Sequence, residues 1–456
     1  MTTKYYLRVE AVNLPSFIYD TQDLSTIRGA SLTLIQIVEE LKDLGQSQGL
    51  PGDFRAISTG ASSGLFEFTA ATKEEACEVA RIVEAYLGED PCAKHATFVV
   101  DVVETEPAER FRVARERVLA ANRWRQMSQP SLVIPAWNRG REIKDREGQF
   151  VTACEVDRVR AGTAKDMFPE EREGWVSPSV KARRQAGQIA RQSRIEHTGA
   201  GGPGPSKPVD ATTGFYLREI GLDELFTQDF GTLSNAEGRD LIRDLDSKIA
   251  VIYIDGNGFG SRQERMERPE ELTGWDNDIK SKRKAVLRSL LAKAEDNEDR
   301  TWRIDDPQRG GNRIRFETLI WGGDDLMWVV PAWKGWETLE HFFSSAEWMY
   351  TAEDGSPRPL THAAGVVFCH HNAPIHRITR LAQDLVEDHV KRKSRTQNMF
   401  AYAVLESFDH ITEGMEKYWN KRLPKHLASA RAEQRAVARQ GWILPGDKIS
   451  AIREVV

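Results

Sequence analysis

Cysteine is scarce in this chain: 456 residues hold four, Cys77, Cys92, Cys154 and Cys369, with no CxxC pair among them. Such scatter argues against a disulfide framework or an intact cysteine zinc site, and it suits a chain kept in a reducing cytoplasm. Long apolar runs are lacking as well. Nowhere does an uninterrupted run reach the roughly 18 residues of a membrane span, and residues 1 to 30 hold no basic segment followed by an apolar one. The sequence therefore predicts a cytoplasmic protein with no membrane partner. An excess of one charge is missing too: 63 basic residues against 69 acidic ones leave a net charge of -6, so any surface for nucleic acid or nucleotide must be local. What is present is length and 40% hydrophobic content, enough for two or three domains of roughly 100 to 200 residues.

The stretch that organises the rest is Leu319 to Pro331, LIWGGDDLMWVVP. Apolar runs flank Gly322-Gly323-Asp324-Asp325, the pattern of a β-hairpin with a glycine-bearing turn. Gly and Asp are also what ordinary turn chemistry favours, so GGDD alone is equally a solvated acidic turn. Two adjacent carboxylates repel one another, and a hard cation such as Mg²⁺ would neutralise both.

Taken in order, Tyr5 to Ile18 predicts a strand running into a loop, and Asp23 to Leu44 a helix starting at Ser25 or Ser31. Phe54 to Ala70 predicts two strands around a Thr59 to Gly64 turn, Lys73 to Leu87 a second helix, and Ala96 to Val103 a strand. This β-α-β-β-α-β order is the split βαβ arrangement of a ferredoxin-like domain, with right-handed crossovers placing both helices on one face. From Lys248 the pattern returns with insertions. It gives a strand at Ile249 to Ile254, a helix clearest over Ile279 to Glu295, hairpin strands at Arg313 to Ile320 and Leu326 to Pro331, and a helix at Trp336 to Tyr350. A strand at Leu360 to Cys369, a helix at Ile375 to Lys391 and a last strand at Phe400 to Val404 complete it.

The expected fold class is α+β: two tandem ferredoxin-like domains, residues 1–109 and 211–410, joined by a helical connector over 110–210 and followed by a helical tail over 411–456. Between Arg110 and Ile195 the connector carries 16 Arg and 3 Lys against 10 Asp and Glu, interleaved with Trp124, Trp137 and Trp175. That mixture suits RNA or nucleotide phosphates, and equally a solvated connector whose tryptophans pack on the neighbouring domains. His197 to Pro208, HTGAGGPGPSKP, is a loop or linker.

In the split βαβ order, Asp255 at the end of a buried strand converges with Asp324 and Asp325 at one sheet edge. Three carboxylates there call for divalent metal, and a pair of Mg²⁺ ions at such a site supports phosphoryl or nucleotidyl transfer. The glycines of DGNGFG, residues 255–260, and Gly322-Gly323 would let backbone N–H groups approach triphosphate oxygens.

With these motifs the second half resembles the palm domain of the large polymerase-like subunit of type III CRISPR effector complexes, a family related to GGDEF diguanylate cyclases and class III nucleotide cyclases. The matching segments are IYIDGNGFG at 252–260, WGGDDLMWVVP at 321–331, AAGVVFCHHNAPIHRI at 363–378 and LAQDLVEDHVKRKSRTQN at 381–398. TQDLSTIRGAS at 21–31 and STGASSGLFEF at 58–68 resemble the same family's non-catalytic first palm, so the likeness covers most of residues 1–410.

The resemblance implies a nucleotidyltransferase or cyclase that turns ATP or another NTP into a cyclic nucleotide or cyclic oligonucleotide messenger, working between its two palms with two Mg²⁺ or Mn²⁺ ions. It implies Asp255, Asp324 and Asp325 as metal ligands, joined by the Ile254 carbonyl. Nucleotide contacts would come from Gly256, Asn257, Gly258, Phe259, Gly322, Gly323 and Lys391, with Lys393 the neighbouring alternative. Ser62 and Ser63 would approach a second nucleotide. RNA and effector subunits are the implied partners, with the oligomeric state open.

The departures shape the expectation as well. No His-Asp metal set precedes the first palm, so nuclease activity is not expected. CEVDRVRAG at 154–162 and VSPSVKARRQAGQIA at 176–190 resemble the outline of the family's zinc module, but only Cys154 remains and no zinc is expected. The short tail points to a compact relative. Asp325, where diguanylate cyclases have Glu, disfavours that activity. His370 and His371 are expected as a strand-end pair facing the palm edge. The competing reading is a catalytically silent RNA- or nucleotide-binding subunit.

Overall fold

The computed structural model describes residues 2–44, 49–60, 62–106, 108–128, 152–168, 172–192, 214–237, 244–295, 299–306, 311–352, 354–406 and 443–453. Trp137, the 197–208 linker and most of the 411–456 tail lie outside these residues. The chain forms two compact units. One gathers Met1–Ala190, Gly260–Ile279 and Trp321–Gly323; the other gathers Arg191–Phe259, Lys280–Ile320 and Asp324–Val456.

The first unit is built on β1 (Thr3–Val12), α1 (Leu24–Glu40), β2 (Arg55–Gly60), β3 (Ser63–Ala70), α2 (Lys73–Glu89) and β4 (Thr97–Glu104). The sheet order is β2-β3-β1-β4, antiparallel throughout. Period-two alternation along β1 explains why both faces are covered. Tyr5, Leu7 and Val9 join Phe66, Phe68 and Val100 in a core closed by Ile37 and Val38 of α1 and Val79 and Val83 of α2. Tyr6 points to the other face, where Ile57 and Leu65 meet Phe111, Ala114 and Val118 of α3 (Phe111–Ser128).

Two helix starts follow capping chemistry. Asp23, not Ser25 or Ser31, caps α1, accepting from the Thr26 amide at 2.8 Å and its hydroxyl at 2.6 Å. Thr72 caps α2 by accepting from the Glu75 amide at 3.2 Å, while Glu75 reaches back to the Ala71 amide. Beyond β1, Leu14–Ile18 is a short helix where the sequence predicts the strand's run into a loop, since Pro15 in its first turn is pre-set for helix.

The connector's described part, up to Ala190, belongs to this unit. α4 (Pro178–Ile189) crosses α1 at Gly29 and Gly187, where a β-carbon would lie 1.7 Å from the Arg183 carbonyl oxygen or 1.9 Å from that of Ser25. Cys154 is fully buried with Val176 and Val180. Beside it Asp157 accepts from the Val159 and Arg160 amides, both at 2.9 Å, and from Ser177 Oγ at 3.2 Å. Of the two described connector tryptophans, Trp124 is 73% exposed, and Trp175 carries the Lys165 ammonium over its ring.

The second unit carries β5 (Lys248–Gly256), most of α5 (Pro269–Glu295), most of β6 (Glu317–Gly322), β7 (Asp325–Pro331), α6 (Gly335–Ser344), β8 (His362–His370), α7 (Ile375–Asp384), β9 (Met399–Val404) and β10 (Ile443–Pro445). Its sheet runs β6-β7-β5-β8-β9-β10. The first four strands repeat the order of the smaller sheet, and β9 is added in parallel to β8. β5 is central and buried on both faces, which is why IAVIYI is continuously apolar. Gly335 lets α6 meet Ala250 and Phe368 on one face; Gly365 lets α7 approach the other, where a β-carbon would stand 2.2 Å from the Ala382 carbonyl oxygen. α6 stops at Ser344, short of the predicted Tyr350, and Met349–Thr351 forms a small strand instead. After α7 the helix passes through a π-turn, Leu385–Val390, into Lys391–Lys393.

Candidate nucleotidyl-transfer site

Asp255 ends β5 between two antiparallel neighbours. On one side Ala363 of β8 lies opposite it; on the other, the register Leu326↔Ile254, continued by one position, brings Asp325, the residue before Leu326 and the first of β7, beside it. Directly opposed residues carry β-carbons about 4.5–5.5 Å apart on one face. Two strands thus deliver two carboxylates to one spot. Tyr253, two residues earlier on the same face, donates its hydroxyl to Asp325 Oδ1 at 2.9 Å. From the helical segment after α7, Lys391 Nζ donates to Asp255 Oδ2 and, at 2.7 Å, to Glu387 Oε1.

Burial and repulsion among carboxylates outweigh the positive charges that reach these aspartates. Burial, and then the charge of Asp325, push Asp255 up to about 8 against the hydrogen bond from Lys391. Burial and the charge of Asp324 push Asp325 up to about 6, opposed by the Tyr253 hydroxyl. Burial also raises Asp324, in the turn before β7, while Lys391 and Arg283 oppose it. Tyr253 is raised by burial and by Asp325 and Asp255. For Glu387 burial is overcome by hydrogen bonds with Lys391 and Asp255, which hold it below the usual carboxylate range.

The glycines and their neighbours have separate duties. Gly323, at φ 40°, and Gly258, at φ 71°, both occupy the left-handed region that tight turns demand of glycine. Gly322 closes β6. A β-carbon on Gly256 would stand 2.4 Å from the ring of Phe259, which is 3% exposed and packs on His362 beneath the turn. Asn257 is buried too. Its amide donates to the Thr361 carbonyl at 2.8 Å and its Nδ2 to Thr361 Oγ1 at 3.2 Å, while its Oδ1 is buried without a hydrogen-bond partner. Ile254 lies fully buried in the sheet.

Lys391, rather than Lys393, reaches the carboxylates; Lys393 Nζ donates to the Ile443 carbonyl. Ser62 and Ser63 form the β2–β3 turn of the first unit, with the Ser62 carbonyl accepting from Ala11. His370 and His371 stack at the other end of the sheet from Asp255. His370 pairs with Lys248 at the start of β5, seven residues or roughly 23 Å from Asp255. The strand-end pair is as expected, but it does not face the Asp255 edge, because register and not proximity to the motif decides which strand end a residue occupies. Tyr253 and Glu387 were missed in the sequence, although their spacings, two residues from Asp255 on a strand and four from Lys391 on a helix, carry the signal.

Among the described residues no group of three or more His, Cys, Asp or Glu side chains is arranged to hold a metal ion. The donor chemistry of the edge nonetheless fits a hard divalent cation. Asp255 and Asp325 are adjacent oxygen donors with a raised affinity for protons, and the Lys391 ammonium already stands as a cation on one of them.

Neither a family model nor a curated protein matches the chain. Solved structures do. A Csm1–Csm4 subcomplex of the type III-A CRISPR-Csm interference complex superposes with a TM-score of 0.52 at 13% identity, over 87% of this chain and 54% of that one. A Csm1–Csm4 cassette in complex with cA4 gives 0.50 at 14% identity, over 89% and 55%, and a cassette in complex with one ATP gives 0.50 at 13%, over 87% and 54%. The chain spans about half the length of the chains it matches, and at these identities the likeness is one of fold.

Proposed function

We propose that the two sheets are tandem ferredoxin-like palms and that the second is a nucleotidyltransferase or cyclase. It converts ATP, or another NTP, to a cyclic nucleotide or cyclic oligonucleotide with release of pyrophosphate, within CRISPR-type antiviral defence. The observation that carries this reading is the side-by-side Asp255 and Asp325 at the end of a central strand, with Lys391 on Asp255. Fold likeness to a cassette crystallised with ATP and to another with cA4 supports the nucleotide class.

In this reading Asp255, Asp325 and Asp324, with the Ile254 carbonyl, hold two Mg²⁺ or Mn²⁺ ions. Bound there, such ions lower the pKa of an attacking hydroxyl and offset charge on the leaving pyrophosphate. Tyr253 orients Asp325 by donating to one of its oxygens. Gly256, Gly258, Gly322 and Gly323 keep the two turns slim enough for backbone to approach phosphate, while Asn257 and Phe259 lock the first turn onto the sheet. Lys391 moves its ammonium from Asp255 to a triphosphate oxygen.

The Lys391–Asp255 ion pair is also the one observation that favours the second reading, a silent nucleotide- or RNA-binding subunit in which the lysine replaces the cation. Incubating the folded chain with each α-labelled NTP and Mg²⁺ or Mn²⁺, with and without RNA, separates the two. A cyclic or linear oligomeric product plus pyrophosphate is expected from ATP; nucleotide binding without product from any NTP would select the silent subunit.

A further inference from the structure

Glu387 is a carboxylate that the motifs leave without a role, and the structure puts it in contact with the site. It sits in the π-turn Leu385–Val390, a departure from α-helix that concentrates at functional positions. Leu385, Val386 and Val390 are fully buried, and Leu385 lies against Gly365 of β8, so the turn is anchored to the sheet. Lys391, four residues on, bridges Glu387 Oε1 and Asp255 Oδ2 with a single ammonium. The side chains of Lys391 and Asp255 are 12% and 9% exposed, whereas that of Glu387 is 49% exposed.

We infer that Glu387 is a positioning residue: it receives the Lys391 ammonium when a divalent cation takes Asp255, and so keeps that ammonium at the sheet edge. The inference rests on the nucleotidyl-transfer reading of the site. A cation arriving at Asp255 displaces the lysine, which at 12% exposure has little room to leave for solvent. Glu387 offers a second carboxylate on a fixed turn, already at hydrogen-bond distance. Without it Lys391 has Asp255 alone and competes with the incoming cation. Glu387 touches neither substrate nor reacting atom in this role; it acts through Lys391.

Mn²⁺ binding to the full chain, followed by electron paramagnetic resonance without nucleotide, tests this. Glu387→Gln is expected to weaken Mn²⁺ binding by about two- to fivefold, the scale of one partly exposed ion pair, and Glu387→Asp to restore part of it. Lys391→Met, which removes the competitor, is expected to tighten binding, and adding Glu387→Gln to it should change nothing more. If Glu387→Gln weakens Mn²⁺ equally in the Lys391→Met background, Glu387 is a direct ligand and the inference is overturned; no effect of Glu387→Gln overturns it as well. Absence of Mn²⁺ binding by the unaltered, folded chain removes the reading of the site, and the inference with it. Glu387 is half exposed, so its substitution is not expected to unfold the chain, and thermal melts of each variant check this.

Discussion

The two sheets share one strand order and differ at one hairpin turn. In the first, Ser62 and Ser63 close β2–β3, and the buried acids elsewhere in that sheet have basic partners: Glu67 takes Lys4 and Arg55, and Asp101 takes Arg125. In the second, GGDD closes β6–β7, and Asp255 and Asp325 stand side by side with one lysine between them and Glu387. The same frame thus pairs its buried acids with bases in one sheet and in the other sets two carboxylates side by side, where burial and repulsion among carboxylates raise both. Unbalanced buried carboxylates destabilise a fold unless something binds them, which is why strongly shifted carboxyls in a cluster mark a functional site.

The comparison breaks most visibly in activity. Asp325→Asn should lower product formation on the order of a hundredfold or more, the scale of removing one group that stabilises transition-state charge. Ser63→Asn, which alters the other hairpin, should leave Mn²⁺ binding to the second sheet unchanged. A labelled-ATP assay and a Mn²⁺ titration read the two.

In stability the larger effect belongs to the first unit. Gly29→Ala puts a methyl group against the α4 backbone, which cannot yield as a side chain can. A loss of about 3 kcal/mol is expected, seen as a lower midpoint in denaturant, and Gly187→Ala should match it. Little change for both would mean the helices part without cost.

A pH series sharpens the contrast in charge. The folded-state pKa of Asp255 is raised to about 8 and that of Asp325 to about 6, against roughly 3.9 for an unfolded aspartate. The folded state therefore holds more protons. Their contribution to stability is full below about pH 4 and fades as pH rises through 6 for Asp325 and 8 for Asp255. Metal-free protein should lose stability between pH 4 and 8, and Asp255→Asn should flatten that decline. The smallest effect expected is that of Gly258→Ala, at about 1 kcal/mol, for a β-carbon forced to positive φ in otherwise open space.

The frame was legible because each strand announced its surroundings. β5 read as continuously apolar since both its faces are covered, and Tyr5 onward read as a strand from its apolar and β-branched residues. Asp255 and Asp325 could be placed together from strand order alone, because one register fixes every pair along β5 and β7. Helix ends were less legible: Asp23 caps α1 through its side chain, while Ser25 and Ser31 looked equally suitable from their types. The π-turn that sets Glu387 and Lys391 against Asp255 left no mark on hydrophobic spacing, since Leu381, Leu385 and Val386 suit an ordinary helix as well. Phe259, an aromatic beside a glycine turn, gave no sign in the sequence that its ring packs under the turn against His362.

Nucleotidyl transfer at the Asp255–Asp325 edge requires a divalent cation there. Calorimetric titration of the folded chain with Mn²⁺ at pH 7, repeated in buffers of differing ionisation enthalpy, tests it most directly. Saturable binding with release of protons, chiefly from Asp255, is expected, with loss of both signals in Asp255→Asn and Asp325→Asn. Binding that persists unchanged in both variants, or none in the unaltered protein, would contradict it.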